Sequence, residues 1–513
     1  MTRKLGVLLA LLALMVGTAA AQDARSVLQA AATASGANNV KSIQYSGTGT
    51  HGAVGQSFQA DVDWPRTDVK SFTRTIDYDS KSLKEEMVRV QGNNPARGGG
   101  FIPLVGDVRS VSLVSDKYAW NVQGNNAVPQ PAAVEGRQLE IWITPHGFLQ
   151  AALAGNPTAS ERYLLGRRLT VIGFTAMGKY RVTGEFNDQN LLERVLTWIP
   201  DPVMGDMQYE IRYSDYKDFG GVKFPMHIHA HQGDHPLLPG STGRNSLDIR
   251  VSSVQPNVSG AALTVPDNVR QASVPPVRVD SQKLADGVWL VAGGSHNSLA
   301  VEFRDFIAVI EAPLNEERST AVIAEVKKLI PNKQIKYLVN THHHFDHLGG
   351  IRSYVAEGAA VVTHESNREF YKRAVFSPQV RTLQPDRLSL FPFATTNPIV
   401  TQLETFTDQY SITDAARTLE VHHLQGLNHN AGMLIAYLPK EKIVVEADLY
   451  SPPVGDAPPA PPNASAMTFY DNLKRLKLDV AQIAPIHGRV GTVDEFEKIV
   501  GPAAANRQRG SGE

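Results

Sequence analysis

The chain has 513 residues, 42% hydrophobic and 20% charged, which excludes a wholly disordered protein. Its 50 Lys and Arg residues balance 51 Asp and Glu, for a net charge of -1, so neither nucleic acid nor an anionic membrane surface is an expected partner. Cysteine is absent, which removes disulfides, thiolate metal sites, cysteine nucleophiles and iron–sulfur clusters together.

The N-terminus pairs Arg3 and Lys4 with an apolar run over 5–16, followed by Ala19-Ala20-Ala21. This pattern predicts a cleaved signal peptide over 1–21, a mature start at Gln22, and a periplasmic or secreted protein. No later run is long enough to predict a membrane span in the mature chain.

Residues 22–265 are expected to form a β-rich, mostly antiparallel domain, entered through a short helix over 24–35. Alternating runs at 57–64, 168–172 and 180–182 read as strands, separated by turn residues. The Gly-rich stretch 92–100 reads as a mobile loop. His227, His229 and His231 alternate along one strand face. With no carboxylate apparent beside them, they read as a surface face and not a metal site. Pro266, Pro275 and Pro276 mark a linker over 266–282.

Residues 283–502 change to an α/β texture. Runs 299–303 and 306–310 predict a hairpin, 316–330 an amphipathic helix, and 335–339 a buried strand. The Gly-, Arg- and Ser-rich end, 503–513, reads as a flexible tail.

Directly after the strand at 335–339 stands Thr341-His342-His343-His344-Phe345-Asp346-His347-Leu348-Gly349-Gly350. The ends of buried strands are where α/β folds place their sites. His342 and His344, two apart on an extended loop, can hold one ion, and Asp346 and His347 a second. Imidazole and carboxylate suit zinc, and also iron or manganese. Further donors must come from elsewhere; His429, Asp448 and His487 each sit at a predicted strand end. His343, His422 and His423 read as non-ligands, as does His296 near the mouth of the site.

With its H-x-H-x-D-H motif, the region from about 288 to 500 resembles the metallo-β-lactamase superfamily. The resemblance implies an αββα sandwich and a dinuclear zinc centre. His342, His344 and His429 would bind the first ion, Asp346, His347 and His487 the second, and Asp448 would bridge them. It also implies a hydroxide between the ions as nucleophile, with Asp346 orienting it as the catalytic residue. Two departures stand out: Leu424-Gln425-Gly426-Leu427-Asn428 precedes His429, and Glu311 stands where many members have Asp.

The reading is a secreted dinuclear hydrolase of a small-molecule ester, lactone, thioester or related bond. Absence of Cys excludes the lactamases with a Cys ligand, and Asp448 favours the branches that keep a bridging acid. One alternative is a mononuclear iron sulfur-oxidising dioxygenase of the same fold. Another is a binding or carrier protein with an accessory metal domain. The hairpin expected at 213–225 faintly resembles periplasmic lipoprotein-carrier half-barrels, implying an apolar ligand for the N-terminal domain. The Pro-rich segment 452–462 is expected to line the substrate entrance. Residues 283–513 are expected to fold and bind metal alone.

Overall fold

A computed structural model describes residues 23–164, 166–234, 242–376, 381–390, 402–455 and 461–510. The expected signal peptide at 1–21 lies outside the described residues.

The N-terminal domain is one antiparallel sheet of 13 strands. Its first six strands run outward in chain order, from Ser42–Gly52 to the edge strand Asn126–Pro129. The other seven run inward from the opposite edge, Thr158–Leu164, to Thr242–Pro256. The chain therefore closes on itself where Thr242–Pro256 pairs with Ser42–Gly52. The expected hairpin is present: Gly205–Asp218 pairs with Lys223–Asp234 through Asp218↔Lys223. Gly220 and Gly221 take φ of 71° and 90°, conformations that favour glycine. One apolar face is covered by the helix 23–35 with Val134–Trp142 and Pro145–Ala154. Leu28, Leu139, Ile141 and Phe148 pack there with Phe72, Ile76, Phe224 and Ile249.

The run 57–64 is not a strand. Its backbone is held by a side chain instead of a ladder. Arg244 donates to the carbonyls of Val62 and Ala60, each at 2.7 Å, and lies over the Trp64 ring at 4.3 Å. These contacts satisfy buried carbonyls outside any sheet.

The C-terminal domain is a two-sheet sandwich. A seven-stranded sheet runs from Asp280–Ala285 to Leu403–Phe406, and a six-stranded sheet from Gln409–Thr413 to Gly491–Thr492. Val301, Ala308, Ile310 and Val339 of the first meet Val421, Leu434, Ala436 and Val445 of the second in a fully apolar layer. Helices Glu316–Leu329 and Ile351–Ala356 cover the outside of the first sheet. Ala464–Leu476 and Val493–Gly510 cover the second. Asn315 and Asn463 cap two of these helices by accepting from Arg318 N and Ala466 N. The layer order is αββα.

Two boundaries differ from expectation. The first strand of the sandwich, Asp280–Ala285, starts inside the expected linker. The last helix continues to Gly510, through Pro502 and into the expected tail. Ala503 and Ala504 favour helix and pack against the cluster around Phe496 and Val500. Among the described residues, no helix is long and apolar enough to cross a membrane.

Candidate metal centre

Strand Gln334–Val339 delivers Asn340 to His344 as an extended loop, and the short helix Phe345–Leu348 follows. Glu311, at the end of Phe306–Ile310, fastens this loop from beneath. Its Oε1 accepts from Thr341 N at 2.6 Å and from Asn340 Nδ2 at 3.0 Å. Its Oε2 accepts from His347 Nδ1 at 2.7 Å. Glu311 is fully buried and holds φ of 71°, a left-handed conformation costly for a non-glycine residue. The acid at this position orients a histidine of the motif and does not enter either donor group itself.

All seven residues singled out from the sequence converge here, in two adjoining groups. One comprises His342, His344, His429 and Asp448; the other comprises Asp346, His347 and His487, joined by His296. Within each group the donor atoms lie within 4.8 Å of one another. Asp448 stands between the groups. Its Oδ2 is 3.2 Å from His342 Nε2, 3.1 Å from His429 Nε2 and 3.0 Å from His347 Nε2. Its Oδ1 is 2.9 Å from His487 Nε2. The turn after Ile443–Glu446 makes this reach, with Asp448 at φ of 62°. Glu446 Oε2 shapes the turn by accepting from Leu449 N at 3.0 Å.

Contacts on the outer ring nitrogens aim the inner ones. His347 Nδ1 donates to Glu311, and His487 Nδ1 to the Ser295 carbonyl at 3.1 Å. The Thr341 hydroxyl engages His342 Nδ1 at 2.9 Å. His344 is reversed: its Nε2 donates to the Ser57 carbonyl at 3.0 Å, leaving Nδ1 facing the centre. Such partners fix the tautomer and orientation of a ligating imidazole.

The donor set fits metal ions. His342 Nε2 and His344 Nδ1 are buried without a hydrogen-bond partner, a costly state for polar atoms. Burial, with neighbouring imidazoles, pushes His342 down to about 4 and His344 well below its ordinary value. Both are therefore neutral and offer lone pairs. Burial works against the Asp448 carboxylate, but His347, His342 and His429 outweigh it and keep its pKa well below the usual range. His347 is the exception. Burial opposes its charge, yet Asp448 and Glu311 hold its pKa well above the ordinary value. A metal ion would supply the positive charge that a proton provides there.

The N-terminal domain completes the centre, which the sequence did not reveal. Gln56 Nε2 donates to Asp346 Oδ1 at 2.8 Å. Phe345 N donates to the Gly55 carbonyl at 3.1 Å, and Phe345 packs edge-on to Trp64 at 5.6 Å. The loop 92–100, expected to be mobile, is tied to both domains: Gly98 N donates to Asn428 O and Gly99 N to Gln56 O, each at 2.9 Å. Gly99 lies so close to His344 that a Cβ there would sit 2.7 Å from the ring.

His343 points the other way, between Ser57 Oγ at 3.2 Å and Asn430 Nδ2 at 3.1 Å. His422 meets Glu420 and His423 the Ala431 carbonyl, so these three stand outside both groups. The 227–231 strand face does have carboxylates beside it, contrary to the sequence reading. Asp248, on the neighbouring strand, lies 3.0 Å from His227, and Glu210 lies 3.5 Å from His231. His227, His229 and Asp248 form a third, half-buried donor group. Cross-strand pairing created it, and pairing is invisible in a linear pattern.

Residues 291–487 match the model of the metallo-beta-lactamase superfamily. No curated protein matches the chain. Among solved structures, a metallo-beta-lactamase from Pontibacter korlensis is 20% identical, covering 43% of this chain and 96% of its own, with a TM-score of 0.32. FIM-1 from Pseudomonas aeruginosa, in a mono-zinc form, is 20% identical over 45% of this chain and 98% of its own, at a TM-score of 0.32. A metallo-beta-lactamase from Hirschia baltica is 16% identical over 43% and 95%, at 0.30. With the matched segment coinciding with the sandwich and its two donor groups, residues 291–487 form a domain of the metallo-β-lactamase superfamily, a fold of metal-dependent hydrolases.

Proposed function

We propose that the protein is a secreted dinuclear zinc hydrolase that cleaves an ester, lactone, thioester or related bond in a small molecule. The observation that carries this reading is Asp448, set between two donor groups and within 3.2 Å of four imidazole nitrogens. His342, His344 and His429 would hold one ion, Asp346, His347 and His487 the other, and Asp448 both. Such ions polarise the scissile carbonyl and acidify water near neutral pH.

The chain's own groups supply position. Asp346 presents one oxygen to the centre while Gln56 holds the other. Glu311 keeps His347 in one tautomer. Substrate would enter between the loop around Gly99 and the segment after Asp448. That segment lies beside His487: Ser451 Oγ donates to its carbonyl at 2.9 Å, and Arg489 Nε to Pro453 O at 2.9 Å. Phe101 and Val454, 92% and 78% exposed, are apolar residues on these two segments. The part of the entrance segment at 456–460 lies outside the described residues.

Metal analysis with an ester, lactone, thioester, phosphodiester and β-lactam panel tests the reading. Zinc-dependent hydrolysis of an acyl substrate supports it. A single iron with oxygen uptake and no hydrolysis would replace it with the dioxygenase reading.

A further inference from the structure

His296 opens the strand His296–Glu302, directly after the turn at Gly294 and Ser295. Its backbone is clamped. Arg318 Nη2 donates to its carbonyl at 2.7 Å, and the next residue, Asn297, donates to the carbonyls of Pro485 and Gly488 at 2.9 and 2.8 Å. The hairpin is therefore locked to the loop that carries His487. Ser295 orients both imidazoles: its hydroxyl engages His296 Nδ1 at 2.8 Å, and its carbonyl accepts from His487 Nδ1. The two rings lie 4.1 Å apart between centroids, and His296 lies 5.0 Å from His347.

His296 is 5% exposed, and its Nε2 is buried without a hydrogen-bond partner. Asp346 Oδ2 is 3.7 Å from it, beyond hydrogen-bond length. A buried nitrogen on so fixed a backbone needs a partner. Its surroundings are Asp346, His347 and His487, whose donor atoms lie within 4.8 Å of it and of one another.

We propose that His296 is a protein ligand of the second ion, beside Asp346, His347 and His487. The inference rests on the dinuclear reading and deepens it. With Asp448 shared, the second ion has five protein donors and the first has four. Zinc favours four donors, whereas manganese and iron accept more. The second site is thus the more crowded of the two and the better suited to a metal of higher coordination number.

The test uses the full chain loaded with manganese or cobalt, and with zinc. Anomalous diffraction is expected to place His296 Nε2 about 2.1 Å from the ion at Asp346 and His347. X-ray absorption of His296→Ala is expected to count one imidazole fewer at that ion, with affinity reduced about tenfold or more. A residue that only positions Asp346 would lower affinity without changing the imidazole count, and that result overturns the proposal. An ion bound at Asp346, His347 and His487 with His296 Nε2 beyond 3 Å also overturns it, while leaving the dinuclear reading intact. Saturated protein with no ion at those three residues overturns both. If His296→Ala fails to fold, the loaded wild-type structure decides alone.

Discussion

Gln56 Nε2 donates to Asp346 Oδ1 at 2.8 Å, across 290 positions of sequence and from one domain to the other. The other oxygen of Asp346 is left to the centre, where His296 and His347 stand 3.7 and 3.8 Å away. Burial raises the pKa of Asp346, but His296 and His347 outweigh that and hold the carboxyl below its ordinary range. Gln56 adds direction to an already ionised group. Gln56→Ala is expected to lower second-ion affinity about tenfold, the small end of the usual range for such partners. Exposed Gln59→Ala serves as the control and should change nothing. Metal titration of both variants checks this, and equal affinities would contradict it.

Gly99→Ala is expected to disturb the first ion from the other domain. A Cβ there meets Gln56 Oε1 at 2.0 Å and His344 Cε1 at 2.7 Å. Gln56 can move aside, but His344 is a fully buried ring tied to Ser57. Turnover should fall at least about tenfold, with thermal stability lowered by the overpacking. Unchanged kinetics with unchanged metal content would show that the loop yields.

The motif at 342–347 was legible because its donors are local: strand end, spacing and residue type lie within ten positions of sequence. Asp448 and His487 were found because each follows an apolar strand. His296 reads from sequence as a non-ligand at the mouth of the site; only the pairing of Val288–Gly293 with His296–Glu302, docked on the His487 loop, brings it into the donor group. The run 57–64 alternated like a strand, yet Val62 is exposed, and Arg244, remote in sequence, holds the backbone. No linear pattern encodes a guanidinium arriving from 180 or more residues away.

The expected independence of residues 283–513 changes accordingly. A cut at 283 divides the strand Asp280–Ala285 and removes Gln56, Ser57 and Trp64 from the centre. The segment 280–513 is expected to keep its sandwich core but to bind metal more weakly than the full chain, by about tenfold or more. Circular dichroism with metal titration checks this. Equal affinity in the soluble segment would show that the N-terminal contacts are dispensable.

His146 is wholly buried in the N-terminal core, stacked on Phe224 at 6.0 Å. Burial pushes its imidazole from 6.5 down to about 4. The unfolded chain therefore binds the proton first. Its contribution is full above about pH 6.5 and is lost as pH falls towards 4, about 3 kcal/mol over the whole window. His146→Leu should lose less stability than wild type between pH 7 and 5. Denaturant midpoints at both pH values check this, and identical losses would contradict it.

The central claim is a pair of ions sharing Asp448, and metal stoichiometry of the full chain and of Asp448→Ala tests it most directly. The wild type is expected to hold two zinc ions per chain, with hydrolysis lost on chelation and restored by zinc. Folded Asp448→Ala should hold one or none and lose turnover. A wild type that saturates below two ions, or an Asp448→Ala variant that keeps two ions and full turnover, would contradict it.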